Sequence, residues 1–173
     1  MELRFTEKEE AFRQEIRKFL KEELPEGWVG FEEGDEYEGE GWEFTKRLAR
    51  KLAQKGWLTL SWPKEYGGQD RPMMEQVVYM EEMAYNMMPS TCLDMGVGGV
   101  SWVGPTLMIY GSEEQKKEHI SAIGAGERFW CTGYSEPESG SDLASLQTRA
   151  VSDGDDYIVN GQKIWNSGGH KMD

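Results

Sequence analysis

Residues 130–142 read WCTGYSEPESGSD, and this stretch decides the fold assignment. Its first half is rich in aromatic and β-branched residues, which predicts a short strand that ends at Ser135-Glu136-Pro137. The turn at residues 139–142 follows, and its glycine and serines expose hydroxyls and several backbone N–H groups in a small concavity. That chemistry suits a phosphate, a carbonyl oxygen or the polar edge of a planar ring.

A second segment lies about 23 residues further on, where Trp165-Asn166-Ser167 offers a flat aromatic face beside a hydroxyl. A π-surface next to hydrogen-bond donors is what a planar heterocycle such as isoalloxazine needs. A well-packed turn with a core tryptophan is the alternative. The residues alone leave both interpretations open.

The chain upstream is predicted to be helical. Thr6 and Glu9 form a capping box, and apolar residues recur at helical spacing until Pro25. Further helices are predicted at 42–54, where Leu48, Ala49 and Leu52 face inward, at 73–86, at 90–110 as a buried helix, and at 112–122. Two features of the 73–86 helix are interpreted by their most common role: its methionines as adaptable core, and Glu81 and Glu82 as a solvated face.

After Glu127 the pattern changes to short segments with aromatic and β-branched residues, separated by Asp/Gly turns such as 153–155. Asn160-Gly161 is the strongest hairpin signal in this part. We therefore predict an α+β chain: an N-terminal all-α helical bundle domain at residues 1–126, then the beginning of a β-barrel or β-sandwich domain at 127–173. Because a few short strands cannot close a barrel or a sandwich, we expect this second domain to be truncated.

Charge and composition exclude several classes of partner. The chain has 32 acidic and 19 basic residues, and ten of the acids lie between Lys21 and Lys46, where no basic residue occurs. The Gly-rich part of this segment, residues 27–41, predicts a solvated loop, since it lacks the spacing of a calcium-binding loop. The acidic balance argues against nucleic acid, and no apolar stretch is long enough for a membrane span. Cys92 and Cys131 have neither a disulfide pattern nor metal-ligand spacing, so we expect a cytoplasmic protein without a metal site.

The stretch SEPESGSDLASLQTRAVSDGDDYIVNGQKIWNSGGHKMD resembles the acyl-CoA dehydrogenase family, whose signature is T/S-E-P-x-x-G-S-D followed by N-G-x-K-x-W. The resemblance continues upstream in WPKEYGG, in YMEEMA and in YGSEEQKKEHISAIGAGE, and so covers nearly the whole chain in order. It implies a flavin-binding β domain and an enzyme that uses FAD to oxidise an acyl-CoA thioester to trans-2-enoyl-CoA.

The resemblance also implies a role for individual residues. Tyr134 and Ser135 would contact the isoalloxazine edge, Ser141 would lie between flavin and thioester substrate, and Ser167 would offer its hydroxyl to the hydride-accepting nitrogen. The complete set that it assigns to the cofactor is Thr132, Gly133, Tyr134, Ser135, Gly140, Ser141, Trp165, Asn166 and Ser167. Glu136, Pro137 and Asp142 are interpreted as residues that shape the turn.

No glutamate of the 173 residues matches the family's catalytic base, so the resemblance implies that this polypeptide alone is inactive. It further implies an acyl-CoA substrate, an electron-transfer flavoprotein as electron acceptor, and a homo-oligomer, a dimer or tetramer, for the full-length protein. Three alternatives stay open: an acyl-CoA oxidase, a flavin monooxygenase on the same fold, and a non-catalytic structural relic.

Overall fold

The computed structural model describes residues 4–173, with α-helices before residue 127 and a two-stranded sheet after it. The helices are α1 (Glu7–Glu23), α2 (Gly39–Gln54), α3 (Met73–Tyr85), α4 (Ser90–Leu93), α5 (Gly104–Tyr110), α6 (Glu113–Gln115) and α7 (Ser121–Gly124), with π-helical turns at Gly99–Val103 and Lys116–Ile120. The strands are β1 (Arg149–Asp153) and β2 (Asp156–Asn160), paired antiparallel. This arrangement confirms the predicted fold class.

Helix α1 begins and ends as its sequence predicts. The Thr6 hydroxyl accepts from the Glu9 amide at 3.3 Å, and the Glu9 carboxylate accepts from the Thr6 amide at 2.6 Å. Phe12 and Phe19 are buried and meet the ring of Trp57 edge to face, at centroid distances of 5.7 and 5.3 Å. Large aromatic side chains of this kind contribute much of the burial energy of a small core.

Helix α2 carries the predicted inward residues, since Leu48, Ala49 and Leu52 are fully buried. It begins at Gly39, three residues before the predicted start, so the end of the acidic segment is helical rather than loop. The rest of that segment is irregular apart from one short turn at Asp35–Tyr37.

Helix α3 packs on α1 with a face that differs from the predicted one. Val78 and Met83 are buried, but Glu75 and Glu82 lie beside them at 2% and 3% exposure. The interpretation of Glu82 as part of a solvated face was therefore wrong. The methionines also divide: Met83 and Met88 are buried, whereas four are exposed, Met73, Met74, Met80 and Met87.

Paired charges explain why two glutamates lie inside. Glu82 accepts from Arg13 Nη1 at 2.7 Å and from both Nε and Nη2 of Arg17 at 2.9 Å. Burial alone would raise the pKa of Glu82, but the hydrogen bonds from Arg17 and Arg13 outweigh it and lower that pKa. Glu75 pairs in the same way with Lys8 and Arg71.

The apolar stretch 90–110 is not one continuous helix. The chain breaks after α4, where Met95, Gly96 and Gly98 all have positive φ, and resumes through the π-helical turn into α5. The Asp94 carboxylate accepts the Gly98, Val100 and Ser101 amides at 2.8–3.0 Å and so satisfies the donors that the break exposes.

The hairpin lies at a different place from the predicted one. Strands β1 and β2 are joined through Gly154-Asp155, with Asp153 opposite Asp156. Asn160-Gly161 does not form the hairpin turn, because the segment after it does not fold back on β2 but bonds Ser135 through the Ile164 amide. Gly161 is required for close packing instead: a Cβ there would lie 2.2 Å from the Thr148 hydroxyl oxygen.

The helical part and the β part are joined by backbone hydrogen bonds. The Val97 amide donates to the Trp130 carbonyl at 2.7 Å, and the Trp130 amide donates to Met95 at 2.8 Å. A Cβ on Gly96 would lie 2.1 Å from the Trp130 carbonyl oxygen, so this approach requires glycine.

Within residues 4–173, no helix is long and apolar enough to cross a bilayer. Over the same residues, no cluster of three or more His, Cys, Asp or Glu side chains is arranged to hold a metal ion.

Candidate functional site

The site is built on two segments that lie side by side, residues 132–135 and 163–167, which together we call the aromatic platform. The Ile164 amide donates to the Ser135 carbonyl at 2.9 Å. The Asn166 side-chain amide donates to the Thr132 carbonyl at 2.7 Å, and Lys163 Nζ donates to the Tyr134 carbonyl at 3.0 Å. Three hydrogen bonds thus hold together segments that are about 30 residues apart in the chain.

Two aromatic side chains of the platform face open space. Trp165 is 84% exposed and Tyr134 is 60% exposed, although tryptophan and tyrosine usually bury most of their rings. Trp165 also has φ of +60°, a left-handed conformation that is costly for a bulky residue and that persists only where its surroundings hold it. Strain and an exposed ring at the same residue are typical of a site that receives a ligand.

The Gly/Ser turn begins directly after the platform. The backbones of Glu136 and Ser139 exchange two hydrogen bonds at 2.8 and 3.0 Å, and the Ser139 hydroxyl donates to the Asp142 carbonyl at 2.6 Å. Gly140 and Ser141 lie exposed at the tip. Within residues 4–173, no hydrogen bond joins either of them to the platform, so the turn offers free backbone and hydroxyl groups.

Glu136 anchors this region more strongly than its sequence position suggests. Its carboxylate is 6% exposed and accepts from the Gln147 amide at 2.7 Å, the Thr148 amide at 3.0 Å and Lys163 Nζ at 2.9 Å. The adjacent Thr148 hydroxyl, the Gln147 amide and the Lys163 ammonium together lower the pKa of Glu136 to about 2. Among the described residues, the buried Thr148 hydroxyl makes no hydrogen bond of its own.

A cavity of about 440 Å³ separates the platform from the helical part. Its wall includes Trp102, Thr106, His119, Trp130, Thr132 and Tyr134. The Trp102 and Tyr134 rings lie 6.3 Å apart, and the indole N–H of Trp130 is buried without a partner among the described residues. Arg128 Nη1 lies 2.6 Å from His119 Nδ1, and since arginine can only donate, the contact is a hydrogen bond in the tautomer whose Nδ1 carries no proton.

The structure brings most of the sequence-predicted residues together. Asn166 bonds Thr132 directly, and Ser135 is bonded by Ile164, which is two residues before Asn166. Gly133 and Tyr134 lie between the two bonded residues of the first segment, and Trp165 lies between those of the second. The Asn166 side chain donates within the platform, which uses one of its two amide N–H groups. Ser167 is exposed at the end of the platform.

Sequence reasoning missed two residues of the site. Lys163 donates from the second platform segment to the Tyr134 carbonyl of the first and to the Glu136 carboxylate, and its position in N-G-x-K was a signal that went unused. Trp102 reaches Tyr134 from the helical part, and no local pattern indicates that contact.

Comparison with models of known protein families shows which family this chain belongs to. The family model for "Acyl-CoA dehydrogenase, N-terminal domain" matches residues 6–127, and that for "Acyl-CoA dehydrogenase, middle domain" matches residues 131–173. The chain belongs to the acyl-CoA dehydrogenase family. The platform and the Gly/Ser turn lie in the part that matches the middle domain, and the cavity wall includes residues from both matched parts.

Individual family members agree with this result. "Acyl-CoA dehydrogenase FadE26" of Mycobacterium tuberculosis is 40% identical over 168 residues, which are 96% of this chain and 40% of that protein. A solved structure described as "Tcur3481-Tcur3483 steroid ACAD" matches 100% of this chain and 43% of its own, with 38% identity and a TM-score of 0.80.

A glutaryl-CoA dehydrogenase from Mycobacterium smegmatis, solved in complex with FADH2, matches 98% of this chain and 41% of its own at 26% identity and a TM-score of 0.71. The chain therefore spans about 40% of the length of the relatives that it matches.

Proposed function

We propose that this chain is the flavin- and thioester-binding part of an enzyme that oxidises an acyl-CoA to trans-2-enoyl-CoA with FAD. Residues 1–126 form its N-terminal helical domain and residues 127–173 the start of its middle β domain. The observation that carries the proposal is the aromatic platform, where Tyr134 and the strained Trp165 present exposed rings beside a cavity. Membership of the acyl-CoA dehydrogenase family supports the reaction class.

The residues at the platform fit a flavin. Bound FAD supplies the acceptor for the hydride from the thioester β-carbon. Trp165 would pack on the ring system through its indole, and Tyr134 and Ser135 would contact the polar edge of the ring. The Ser167 hydroxyl would donate to the hydride-accepting nitrogen. Thr132, Gly133 and Asn166 form the floor of the site.

The tip of the Gly/Ser turn binds the thioester substrate. The space around Gly140 is open, since a Cβ there would meet no atom within 4 Å, so a ligand can reach its backbone. The exposed Ser141 hydroxyl contacts both flavin and thioester carbonyl and thereby orients the acyl group. Proton abstraction at the α-carbon requires a base, and no glutamate of the 173 residues is assigned to it. We therefore expect this polypeptide to bind its ligands without turnover.

The protein's partners are also proposed. The relatives' structures include those described as a "ChsE4-ChsE5 complex" and as "Tcur3481-Tcur3483", each named for two components. We propose that this chain acts within an assembly of acyl-CoA dehydrogenase subunits and passes electrons to an electron-transfer flavoprotein.

The test is to add an acyl-CoA to the FAD-loaded protein under anaerobic conditions and to record the visible flavin spectrum. A shift of the spectrum without bleaching, weakened in Ser141→Ala and retained in Ser145→Ala, supports the thioester site and the missing base. The Ser145 hydroxyl is a suitable control because it already donates to the Asp142 carbonyl at 2.9 Å. Bleaching by the unmodified chain would overturn the assignment of the base outside it, and an unchanged spectrum would overturn the thioester site.

A further inference from the structure

Lys163, the first residue of the second platform segment, forms an ion pair with Glu136. Lys163 Nζ is 2.9 Å from Glu136 Oε1 and 3.0 Å from the Tyr134 carbonyl oxygen. The Glu136 side chain is 6% exposed and that of Lys163 is 27% exposed. An ion pair this sheltered holds one geometry far better than an exposed pair does.

Glu136 joins three pieces of chain: its own turn, the residues before β1 and the segment after β2. The Glu136 backbone closes the Gly/Ser turn onto Ser139, and its side chain holds the Gln147 and Thr148 amides, which lead into β1. Through Lys163 it also holds the segment that follows β2. The Glu136 backbone thus closes the turn, while its carboxylate ties both ends of the hairpin to the platform.

The strained conformation of Trp165 shows what this connection has to support. Trp165 is 84% exposed, so packing contributes little to the direction of its ring. Its backbone is fixed from both sides: the Ile164 amide bonds Ser135, and the Asn166 side chain bonds Thr132. A left-handed tryptophan persists only where such neighbours over-determine it.

We propose that Glu136 and Lys163 are positioning residues, which lock residues 163–167 across residues 132–135 so that Trp165 is oriented before any ligand binds. The pair touches neither the exposed ring of Trp165 nor the turn tip, and it acts through the backbone that carries them. The effect on flavin binding rests on the proposed function, whereas the lock itself is a property of the chain alone. The preformed platform lowers the ordering cost of binding a rigid planar ligand.

The first test compares Glu136→Gln with Glu138→Gln by amide hydrogen exchange. Glu138 is a matched control, because it lies two residues away, is exposed, and makes no hydrogen bond within residues 4–173. We expect the Gln147, Thr148 and Ile164 amides to exchange about tenfold faster in Glu136→Gln, since a charged acceptor is lost. Exchange in Glu138→Gln should match the unmodified protein. Equal exchange in the two variants would overturn the proposal.

A second variant, Lys163→Met, separates the pair from a general loss of folding. In a double-mutant cycle, Glu136→Gln and Lys163→Met should be non-additive in the exchange of Ile164, because each breaks the same contact. Far-UV circular dichroism of the helical part should be the same in all variants, because both residues lie outside α1–α7. Additive effects would contradict the lock.

Flavin supplies the readout that a merely structural pair would not change. With FAD as the probe, Glu136→Gln should weaken binding about tenfold and reduce the circular dichroism band of the bound flavin, while Glu138→Gln leaves both unchanged. If exchange responds as expected but FAD binds neither the unmodified protein nor the variants, the lock stands and the proposed function fails. If FAD binds with equal affinity and an identical band in Glu136→Gln, the positioning role is wrong.

Discussion

Glu82 shows how a charged residue becomes part of the core. It lies between α1 and α3 at 3% exposure, and two arginines of α1 surround its carboxylate. The same contacts raise the pKa of both Arg13 and Arg17, chiefly through their hydrogen bonds to Glu82. Because removing one partner leaves a buried charge uncompensated, breaking such a contact costs more than the contact itself contributes.

Replacing Glu82 should therefore destabilise the protein far more than replacing its neighbour. Glu82→Ala is expected to lower the free energy of unfolding by about 3 kcal/mol, whereas Glu81→Ala should lower it by less than about 1 kcal/mol. Glu81 also pairs with Arg13, at 2.6 Å, but its side chain is 55% exposed. Urea unfolding of the two variants measures the difference. Equal losses would contradict the burial argument.

The pKa of Glu136 predicts how the stability of the β part changes at acid pH. Its pKa is about 2, below the ordinary value of 4.5, so the folded state favours the charged form. The resulting stabilisation is complete above about pH 4.5 and is lost as the pH falls through about 2. In an NMR titration, the Gln147 and Thr148 amide shifts should change near pH 2 and stay constant near pH 4.5. Glu136→Gln should abolish the change, and a midpoint near 4.5 would contradict it.

At the scale of elements, sequence patterns predicted the features that depend on contacts between residues close together in the chain. The capping box of α1 and the inward face of α2 follow from spacings of three and four residues, and both predictions are confirmed. The face of α3 could not be predicted in this way, because Arg13 and Arg17 lie 65 or more positions earlier in the chain. The bonds between the two platform segments are also non-local, so spacing alone left both a ligand site and a packed turn open.

A glycine pair tests the packing of the helices. A Cβ on Gly104 would lie 2.2 Å from Trp62 Cζ2, whereas a Cβ on Gly124 would meet only Thr59 Cγ2, at 3.8 Å. Both glycines have negative φ, so backbone strain does not separate them. Gly104→Ala should cost about 1–3 kcal/mol through displacement of the Trp62 ring. Gly124→Ala should stabilise by about 0.5 kcal/mol. Thermal unfolding compares the two, and a stabilised Gly104→Ala would contradict the close contact.

The whole molecule is unevenly stabilised. Apart from Phe129, the fully buried apolar residues all lie in the helical part, and every residue of β1 and β2 is exposed. A two-stranded hairpin is marginal without further packing. The hairpin is therefore the region of lowest local stability, and the contacts of Glu136 are what hold it to the platform.

Limited proteolysis should reveal this order. Trypsin is expected to cut first at Arg149, the exposed basic residue at the start of β1, before any site within α1 or α2. Mass spectrometry of the early fragments identifies the site. First cleavage inside either helix would contradict the assignment of the stable core to the helical part.

The central claim is that the aromatic platform binds a flavin, and equilibrium dialysis of FAD against the unmodified chain, Trp165→Ala and Tyr85→Ala tests it most directly. Tyr85 is the matched control, because it is 85% exposed but lies on α3, away from the platform. We predict saturable binding to the unmodified chain, about tenfold weaker in Trp165→Ala because a stacking surface is lost, and unchanged in Tyr85→Ala. No saturable binding to the unmodified chain, or equal affinity in Trp165→Ala, would contradict the account.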